Sequence, residues 1–166
     1  MLKTRVIPSL LLKNDGLVKT VKFTDPKYIG DPINAIKIFN DKEVDELMLL
    51  DISASKQNRE PNFDLIKQIS SECFMPLSYG GGIKNSDQAK RLFEIGIEKV
   101  SLQTAAFNNF NIIEEIASKF GNQSVVISID IKKNWLGKYE LYCASSGKKI
   151  KKEWKRYLQE VVSAGA

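Results

Sequence analysis

The stretch Leu77-Ser78-Tyr79-Gly80-Gly81-Gly82-Ile83-Lys84 combines a short apolar run with three consecutive glycines. Its apolar start after Pro76 predicts a buried strand, and Asn85-Ser86 can cap a helix just beyond the glycines. Consecutive glycines let the backbone approach a ligand closely and turn its N–H groups toward one point. A helix that begins there adds its positive end. The stretch therefore predicts a strand–loop–helix turn that binds phosphate, with a tight turn that binds no ligand as the alternative.

Outward from this stretch, strand and helix alternate five times. Strands are predicted to begin near positions 6, 47, 76, 99 and 124, and the fifth is expected to end at Asp130. Helices are predicted from Pro32 behind an Asp31 cap, around residues 63–69, over 86–95, through 112–117, and over 152–163. This alternation is typical of right-handed βαβ units and a parallel sheet. An open doubly wound sheet and a (β/α)8 barrel both fit it.

Two polar segments interrupt the alternation. Residues 13–30 are long for a connection, and Asp15-Gly16 is a turn signal between two β-prone pieces. A second polar hairpin is predicted around Gly137. Long connections inside compact domains are usually functional or disordered, and the first segment could be either.

The amino-acid composition excludes several kinds of catalytic and metal site. The 166 residues predict a single domain over 1–166 with a net charge of +5, and no histidine is present. Histidine bases, histidine-containing triads and most zinc sites are therefore excluded, and no metal or cofactor is expected. The cluster Lys148-Lys149-Ile150-Lys151-Lys152 lacks interleaved aromatics, so we expect phosphorylated substrates and neither nucleic acid nor membrane as partners. Cys73 and Cys143 suggest no disulfide framework, and we expect a cytoplasmic protein.

Polar side chains collect at both ends of the predicted strands. Asp51, Gly80 to Gly82, Gln103-Thr104 and Asp130 fall at the carboxyl ends, where active sites lie in either architecture. Arg5, Glu46 and Lys99 each precede a strand. Their spacing alone favours ion pairs that tie the strand starts together.

These residues resemble the cyclase subunit of imidazole glycerol phosphate synthase, the HisF-like family of phosphate-binding (β/α)8 barrels. The likeness is carried by Arg5-Val6-Ile7-Pro8, Asp45-Glu46-Leu47, Leu50-Asp51-Ile52-Ser53-Ala54-Ser55, Tyr79-Gly80-Gly81-Gly82-Ile83, Glu98-Lys99-Val100-Ser101, Gly121-Asn122-Gln123-Ser124-Val125-Val126 and Ile129-Asp130. It extends over almost the whole chain.

The resemblance implies a division of labour between the two ends of the barrel. Ammonia from a partner glutaminase, a HisH-like subunit, enters through a charged gate and meets a phosphorylated substrate at the other end. The gate positions match Arg5, Glu46 and Lys99. At the substrate end, Gly81, Gly82 and Thr104 correspond to a phosphate site, and Gln103 lies next to it in the sequence. Lys19 corresponds to the mobile substrate loop. Asp51 corresponds to a carboxylate at the same end of the barrel, and Asp130 to the catalytic acid.

Two departures change the implied chemistry. The family's catalytic base is an aspartate that closes the first strand, and here Leu11 takes its place, between the equally inert Leu10 and Leu12. Gln103 stands where the family usually has asparagine. The runs Leu10 to Asn14 and Val18 to Phe23 resemble a paralogous branch linked to surface-polysaccharide sugars, thought to convert an acetamido into an acetamidino group with ammonia from a glutaminase. Such an amidination needs ammonia, positioning and a proton donor, but not that base.

We therefore expect a barrel of this family truncated after about five βα units, since a complete one has ~250 residues. The predicted function is ammonia-dependent acetamidino formation on a phosphorylated or nucleotide-linked sugar. Histidine-pathway cyclase and a non-catalytic remnant that binds phosphate or the glutaminase are the alternatives. Without further strands, the first and fifth strands would have free edges, and Leu10, Leu49 and Ile127 would be uncovered. The isolated chain is therefore expected not to be a stable monomer.

Overall fold

The computed structural model describes residues 4–21 and 23–166, and Lys22 of the quoted loop lies outside the described residues. The strands are β1 (Ser9–Lys13), β2 (Gly16–Val21), β3 (Thr24–Gly30), β4 (Leu47–Asp51), β5 (Leu77–Gly80), β6 (Lys99–Leu102), β7 (Val125–Ile127), β8 (Asp130–Lys133), β9 (Tyr139–Cys143) and β10 (Lys148–Lys149). The helices are α1 (Pro32–Asp41), α2 (Phe63–Glu72), α3 (Ser86–Ile95), α4 (Thr104–Asn108), α5 (Asn111–Phe120) and α6 (Trp154–Ser163).

The order of the parallel strands decides between the two predicted architectures. Seven described strands form one sheet in the order β3-β2-β1-β4-β5-β6-β7, and β1, β4, β5, β6 and β7 are mutually parallel. Each parallel strand lies beside the next one in the chain, and the order never reverses. A doubly wound sheet has a point of reversal, whereas a barrel does not. The arrangement is that of five successive units of a (β/α) barrel.

The outer edge of β1 is not free, contrary to the prediction. β2 pairs with it antiparallel, and β3 pairs with β2 in turn. The hairpin between β1 and β2 turns at Asn14 and Asp15, whose φ angles are +49° and +65°, a geometry that asparagine and aspartate tolerate best. The turn signal was therefore predicted one residue late, because Gly16 already belongs to β2. Residues 11–13 of β1 are the ones this hairpin covers.

The fifth parallel strand is shorter than predicted. It ends at Ile127, and Asp130 opens β8 of a second sheet with the order β10-β9-β8. This antiparallel sheet contains the predicted hairpin around Gly137. The chain leaves the parallel sheet because Asp130 to Lys133 pair with Tyr139 to Tyr142, so their backbone groups are satisfied there.

The core lies between the parallel sheet and the helices. One row of side chains crosses five strands through the registered residues Leu10, Leu49, Tyr79, Val100 and Val125. Leu49 and Val100 are fully buried. The prediction that Leu49 is uncovered is therefore wrong, whereas Leu10 and Ile127 are half-buried and the instability of the isolated chain stays a prediction.

Side-chain caps set the helix starts. Asp31, Asn62, Asn85 and Glu153 each accept a hydrogen bond from the backbone N–H three residues on, at 2.8–3.2 Å. The cap at Glu153 explains why α6 begins at Trp154 and not at Lys152. No helix in the described residues is both long and apolar enough to span a bilayer.

Candidate functional site

A cavity of about 260 Å³ opens at the carboxyl ends of the parallel strands. It gathers residues from β1, β4, β5 and β6, from Ser128 just after β7, and from both hairpin segments. Its wall is formed by Leu11, Thr20, Phe23, Leu50, Asp51, Ile52, Ser55, Lys56, Gly80, Gly81, Gly82, Ile83, Ser101, Leu102, Gln103, Thr104, Ala105, Ser128, Asp130, Ala144 and Ser145. Six of the ten predicted site residues lie in this wall.

Strand register places one row of residues in this wall. Leu11 pairs with Leu50, Leu50 with Gly80, and Gly80 with Ser101. Successive residues of a strand point to opposite faces, so this row faces away from the helices while the neighbouring core row faces them. A Cβ on Gly80 would lie 2.9 Å from Ser101 Cβ and 3.1 Å from the Ser101 carbonyl oxygen, so a larger residue would crowd the neighbouring strand. Leu11 therefore presents an aliphatic side chain to the cavity.

The next two glycines are required by backbone packing. Gly81 and Gly82 have φ angles of +120° and +74°. A Cβ on Gly81 would lie 2.4 Å from the Asp51 carbonyl oxygen, and one on Gly82 would lie 2.7 Å from that of Arg59. The Gly82 N–H donates to Ser55 Oγ at 3.1 Å. The glycine run thus lets the loop after β5 press against the loop after β4, and it brings both loops to the cavity.

Asp51 organises the loop after β4. Its Oδ1 accepts hydrogen bonds from the Ser53 N–H (2.8 Å), the Ser53 hydroxyl (2.7 Å) and the Ala54 N–H (2.9 Å). Arg59 Nη2 lies 3.6 Å from its Oδ2 and donates to Ser53 Oγ at 2.9 Å. Burial and the nearby Asp51 carboxylate raise the pKa of the adjacent Tyr79 hydroxyl. Asp51 lines the cavity, but much of its hydrogen-bonding capacity already holds the loop.

The short second sheet reaches the cavity at Gln103 and Thr104. The Thr104 hydroxyl donates to Ser145 Oγ at 2.8 Å, and the Ala144 N–H donates to Gln103 Oε1 at 3.2 Å. Ser145 also lies 3.2 Å from the Cys143 thiol. Burial raises the pKa of that thiol, but hydrogen bonds with Ser145 and Ser146 outweigh burial and lower it. The loop after β9 therefore fixes the side chains at the start of α4.

Three ionisable side chains among the described residues line the cavity. Asp51 and Asp130 are the carboxylates, and Lys56 supplies an ammonium. Asp130 is the first residue of β8 and is half-buried. Lys19 does not line the cavity, because its side chain is exposed on β2, opposite Lys27. Its neighbour Thr20 does line the cavity. The role predicted for Lys19 stays a prediction.

The three predicted gate residues meet at the opposite strand ends. Glu46 is buried, its Oε1 accepts from Arg5 Nη1, and its Oε2 accepts from Lys99 Nζ at 2.6 Å. Arg5 is exposed and Lys99 is half-buried. The Glu46 carboxylate thus joins the starts of three strand segments. This structural role is enough to explain why a charged residue precedes each of these strands, and a role as an ammonia gate stays a prediction.

Sequence reasoning missed several residues of the wall. Ser145 and Ser128 gave no signal, because the second sheet that brings Ser145 to Thr104 was not expected to fold back. Lys56 and Ser55 follow Asp51 closely, and that proximity was the available signal. In residues 4–21 and 23–166, no group of three or more histidine, cysteine, aspartate or glutamate side chains could hold a metal ion.

Known proteins that are similar to this chain belong to one family. A family model described as histidine biosynthesis protein matches residues 5–166. A Pseudomonas aeruginosa protein provisionally named imidazole glycerol phosphate synthase subunit hisF2 is 55% identical over 163 residues, which are 96% of this chain and 65% of that protein. The corresponding provisional hisF3 of Vibrio vulnificus is 49% identical over 167 residues, 100% of this chain and 64% of that protein.

A more distant relative is the imidazole glycerol phosphate synthase subunit HisF of Streptococcus sanguinis. It is 34% identical over 166 residues, 100% of this chain and 66% of that protein. The chain thus spans just under two thirds of the length of these relatives. Because the family model matches from Arg5 to the last residue and the parallel strands follow barrel order, the chain belongs to the histidine biosynthesis protein family of (β/α)8 barrels.

Proposed function

We propose that this chain is part of a HisF-like synthase subunit that uses ammonia from a partner glutaminase to convert an acetamido group into an acetamidino group. The substrate is a phosphorylated or nucleotide-linked sugar of surface-polysaccharide biosynthesis. The observation that carries the proposal is Leu11 in the cavity wall. A leucine there can pack against a substrate but cannot take a proton from it.

The remaining side chains suit an amidination. Ammonia is itself the nucleophile, so it needs positioning more than a base. The net change replaces the amide oxygen with nitrogen and releases water, and that oxygen must be protonated before it leaves. Asp130 is the candidate acid, since the other carboxylate of the wall, Asp51, is tied to its own loop. Serine and threonine hydroxyls in the wall can orient a sugar and its phosphate.

The route of ammonia is proposed from the two ends of the barrel. Arg5, Glu46 and Lys99 lie at the strand starts, and the cavity lies at the strand ends. In this proposal the glutaminase docks at the charged cluster, and ammonia passes between the strands to the cavity. The relationship supports a paralogous role, because identity to the provisional hisF2 and hisF3 proteins is 55% and 49%, against 34% to the Streptococcus sanguinis HisF.

Cyclisation in the histidine pathway is the second candidate function, and membership of the histidine biosynthesis family favours it.

A labelled-nitrogen assay tests the first candidate function, acetamidino formation. The protein, its glutaminase and amide-labelled glutamine are incubated with a nucleotide-linked acetamido sugar, and the sugar is analysed by mass spectrometry. We expect labelled nitrogen in the sugar, and about a hundredfold slower incorporation with Asp130→Asn. Absence of label, with the glutaminase active, would contradict the proposal.

A further inference from the structure

The positive charge of this chain is concentrated in one segment. Residues 130–156 contain nine of the 25 lysine and arginine residues and three of the 20 aspartate and glutamate residues, a net charge of +6. The rest of the sequence has 16 basic and 17 acidic residues, a net charge of −1. All nine basic residues of the segment are exposed. The excess charge of the protein is thus a property of the second sheet and the start of α6.

Most of these cations have no carboxylate partner. Lys149 pairs with Glu140 at 2.5 Å, and Lys152 and Arg156 share Glu160. In the described residues the other six make no ion pair: Lys132, Lys133, Lys138, Lys148, Lys151 and Lys155. Lys132 Nζ lies 3.5 Å from the centre of the Tyr142 ring, which leaves its charge available. The segment therefore presents uncompensated positive charge.

Large apolar side chains stand at the end of the same hairpin. Trp135 is 90% exposed and Leu136 is 61% exposed, both in the turn between β8 and β9. Tyr139 and Ile131, also exposed, lie on one face of the hairpin, because Tyr139 pairs with Lys133, two residues from Ile131. We call Ile131, Trp135, Leu136 and Tyr139 the tip surface.

The turn holds these side chains outward. Asn134 Oδ1 accepts hydrogen bonds from the N–H groups of Leu136 (3.0 Å) and Lys138 (2.9 Å), and its Nδ2 donates to Glu140 Oε1 at 2.8 Å. Gly137 closes the turn with φ +78° and donates its N–H to the Asn134 carbonyl oxygen at 3.0 Å. A turn built this firmly presents its apolar pair in a fixed direction.

We propose that the tip surface inserts into the interface of an anionic lipid bilayer, while the surrounding lysines bind its headgroups. Tryptophan and tyrosine prefer the depth of lipid headgroups, and each nearby lysine adds attraction to an anionic surface. A nucleic acid would satisfy the charge, but it would leave Leu136 and Ile131 without an apolar environment. The lipid surface uses both features at once.

This partner differs from the expectation drawn from the sequence, which assigned no membrane partner. The sequence shows a lysine cluster without aromatics at 148–152, and β10 pairs that cluster with the base of the hairpin. The strand pairing of β8 and β9 instead places three other lysines, Lys132, Lys133 and Lys138, close to the tip surface. The base of the same hairpin, at Asp130, Ala144 and Ser145, lines the cavity. The hairpin that carries the tip surface therefore starts at the cavity, at the strand ends opposite Glu46.

Vesicle binding with a single tryptophan tests the inference. The protein has two tryptophans, so Trp154→Phe leaves Trp135 as the reporter. This protein is titrated with vesicles of phosphatidylcholine alone and of phosphatidylcholine mixed with phosphatidylglycerol. We expect a blue shift of Trp135 emission and co-sedimentation with the anionic vesicles only, and both should fall as salt rises.

Paired variants separate the two contributions. In the Trp154→Phe background, Lys133→Ala with Lys138→Ala, which removes the two lysines that flank the turn, should weaken binding to the anionic vesicles roughly 25-fold, from about 1 kcal/mol for each lysine. In the wild-type background, Trp135→Ala with Leu136→Ala should weaken co-sedimentation with the anionic vesicles about tenfold or more. The control is Phe74→Ala, which removes an apolar side chain that is 85% exposed on another part of the surface. This control should leave co-sedimentation unchanged.

Binding to RNA with none to anionic vesicles would reassign the surface and overturn the proposal. Equal binding by wild type and both double variants would overturn it as well. Because the readout is binding to lipid, it does not depend on the reaction proposed above.

Discussion

Lys99 Nζ lies 2.6 Å from Oε2 of Glu46, whose side chain is only 4% exposed. Arg5 binds the other oxygen of that carboxylate. Removal of one partner from a buried pair leaves a charge without compensation and costs about 3–5 kcal/mol, but Lys99 is partly exposed, so solvent screens part of this. We predict that Lys99→Met lowers the free energy of unfolding by about 2 kcal/mol, measured by denaturant titration.

The matched control for Lys99 is Lys90. It forms a surface pair with Glu94 on α3 at 3.7 Å, both side chains being 61% exposed. Such pairs contribute about 0–1 kcal/mol, so Lys90→Met should have little effect. Equal losses for the two variants would show that the cluster at the strand starts has no special structural role.

A side chain at Gly82 should destabilise the protein more than one at Gly137. Both have φ near +75°, so the backbone strain of an alanine is similar. A Cβ on Gly82 meets the Arg59 carbonyl oxygen at 2.7 Å and Ala54 Cβ at 2.9 Å, whereas the nearest atom to one on Gly137 is at 3.6 Å. We expect Gly137→Ala to cost about 1–2 kcal/mol and Gly82→Ala about 1–3 kcal/mol more. Thermal unfolding of both variants measures this, and equal transitions would refute the packing argument.

Thr104 is the better residue for a test of phosphate binding, because a Gly82 variant confounds binding with folding. Its hydroxyl lines the cavity and now donates to Ser145. We predict that Thr104→Val weakens inorganic phosphate binding about tenfold, while Thr104→Ser, which keeps the hydroxyl, binds as wild type does. Isothermal calorimetry decides it. Unchanged affinity in the valine variant would remove Thr104 from the phosphate site.

Tyr157 packs against Phe107 and Phe110 with a buried hydroxyl that has no hydrogen-bond partner in the described residues. Replacement by phenylalanine removes an unsatisfied polar atom, so we expect Tyr157→Phe to leave stability unchanged or to raise it by about 1 kcal/mol. A loss of that size would reveal a partner for the hydroxyl.

The same residue gives a dependence on pH. Burial, with smaller contributions from Glu160 and Cys143, raises the pKa of Tyr157 from 10.0 to about 12. The fold binds this proton more tightly than the unfolded chain does, so its contribution to stability is complete below pH 10 and is lost as pH rises toward 12. Tyr157→Phe should make the loss of stability over that range smaller. Identical curves for wild type and variant would contradict the shift.

Local patterns predicted most of the regular structure. The bounds of β4 and α3, and the caps at Asp31 and Asn85, agree with the sequence, because burial periodicity and capping are local properties. The hairpin that covers β1 also had a local signal, the turn at Asp15-Gly16, because Leu11 and Val18 are only seven residues apart. The return of the second sheet to Thr104 was not predictable in this way, since it depends on a contact 41 residues apart that no short window records.

The candidate site was predictable in position more than in chemistry. Asp51 and Gln103 lie in the wall because residues at the carboxyl ends of parallel strands must meet there. The departure at Leu11 was visible as a substitution, and the register of β1 against β4 shows that it faces the cavity. Lys56 and Ser145 add an ammonium and a hydroxyl to the wall that spacing alone did not single out.

We propose that the protein uses ammonia without forming the imidazole ring, and complementation of a histidine auxotroph that lacks its cyclase subunit distinguishes this activity from cyclisation. A chimera joins this chain to the remaining third of Streptococcus sanguinis HisF, and intact HisF of that organism is the positive control. A second chimera carries Leu11→Asp, and growth with it alone would trace the block to this side chain. We expect no growth with Leu11 in place, and growth of the Leu11 chimera without histidine would show that the protein forms the imidazole ring.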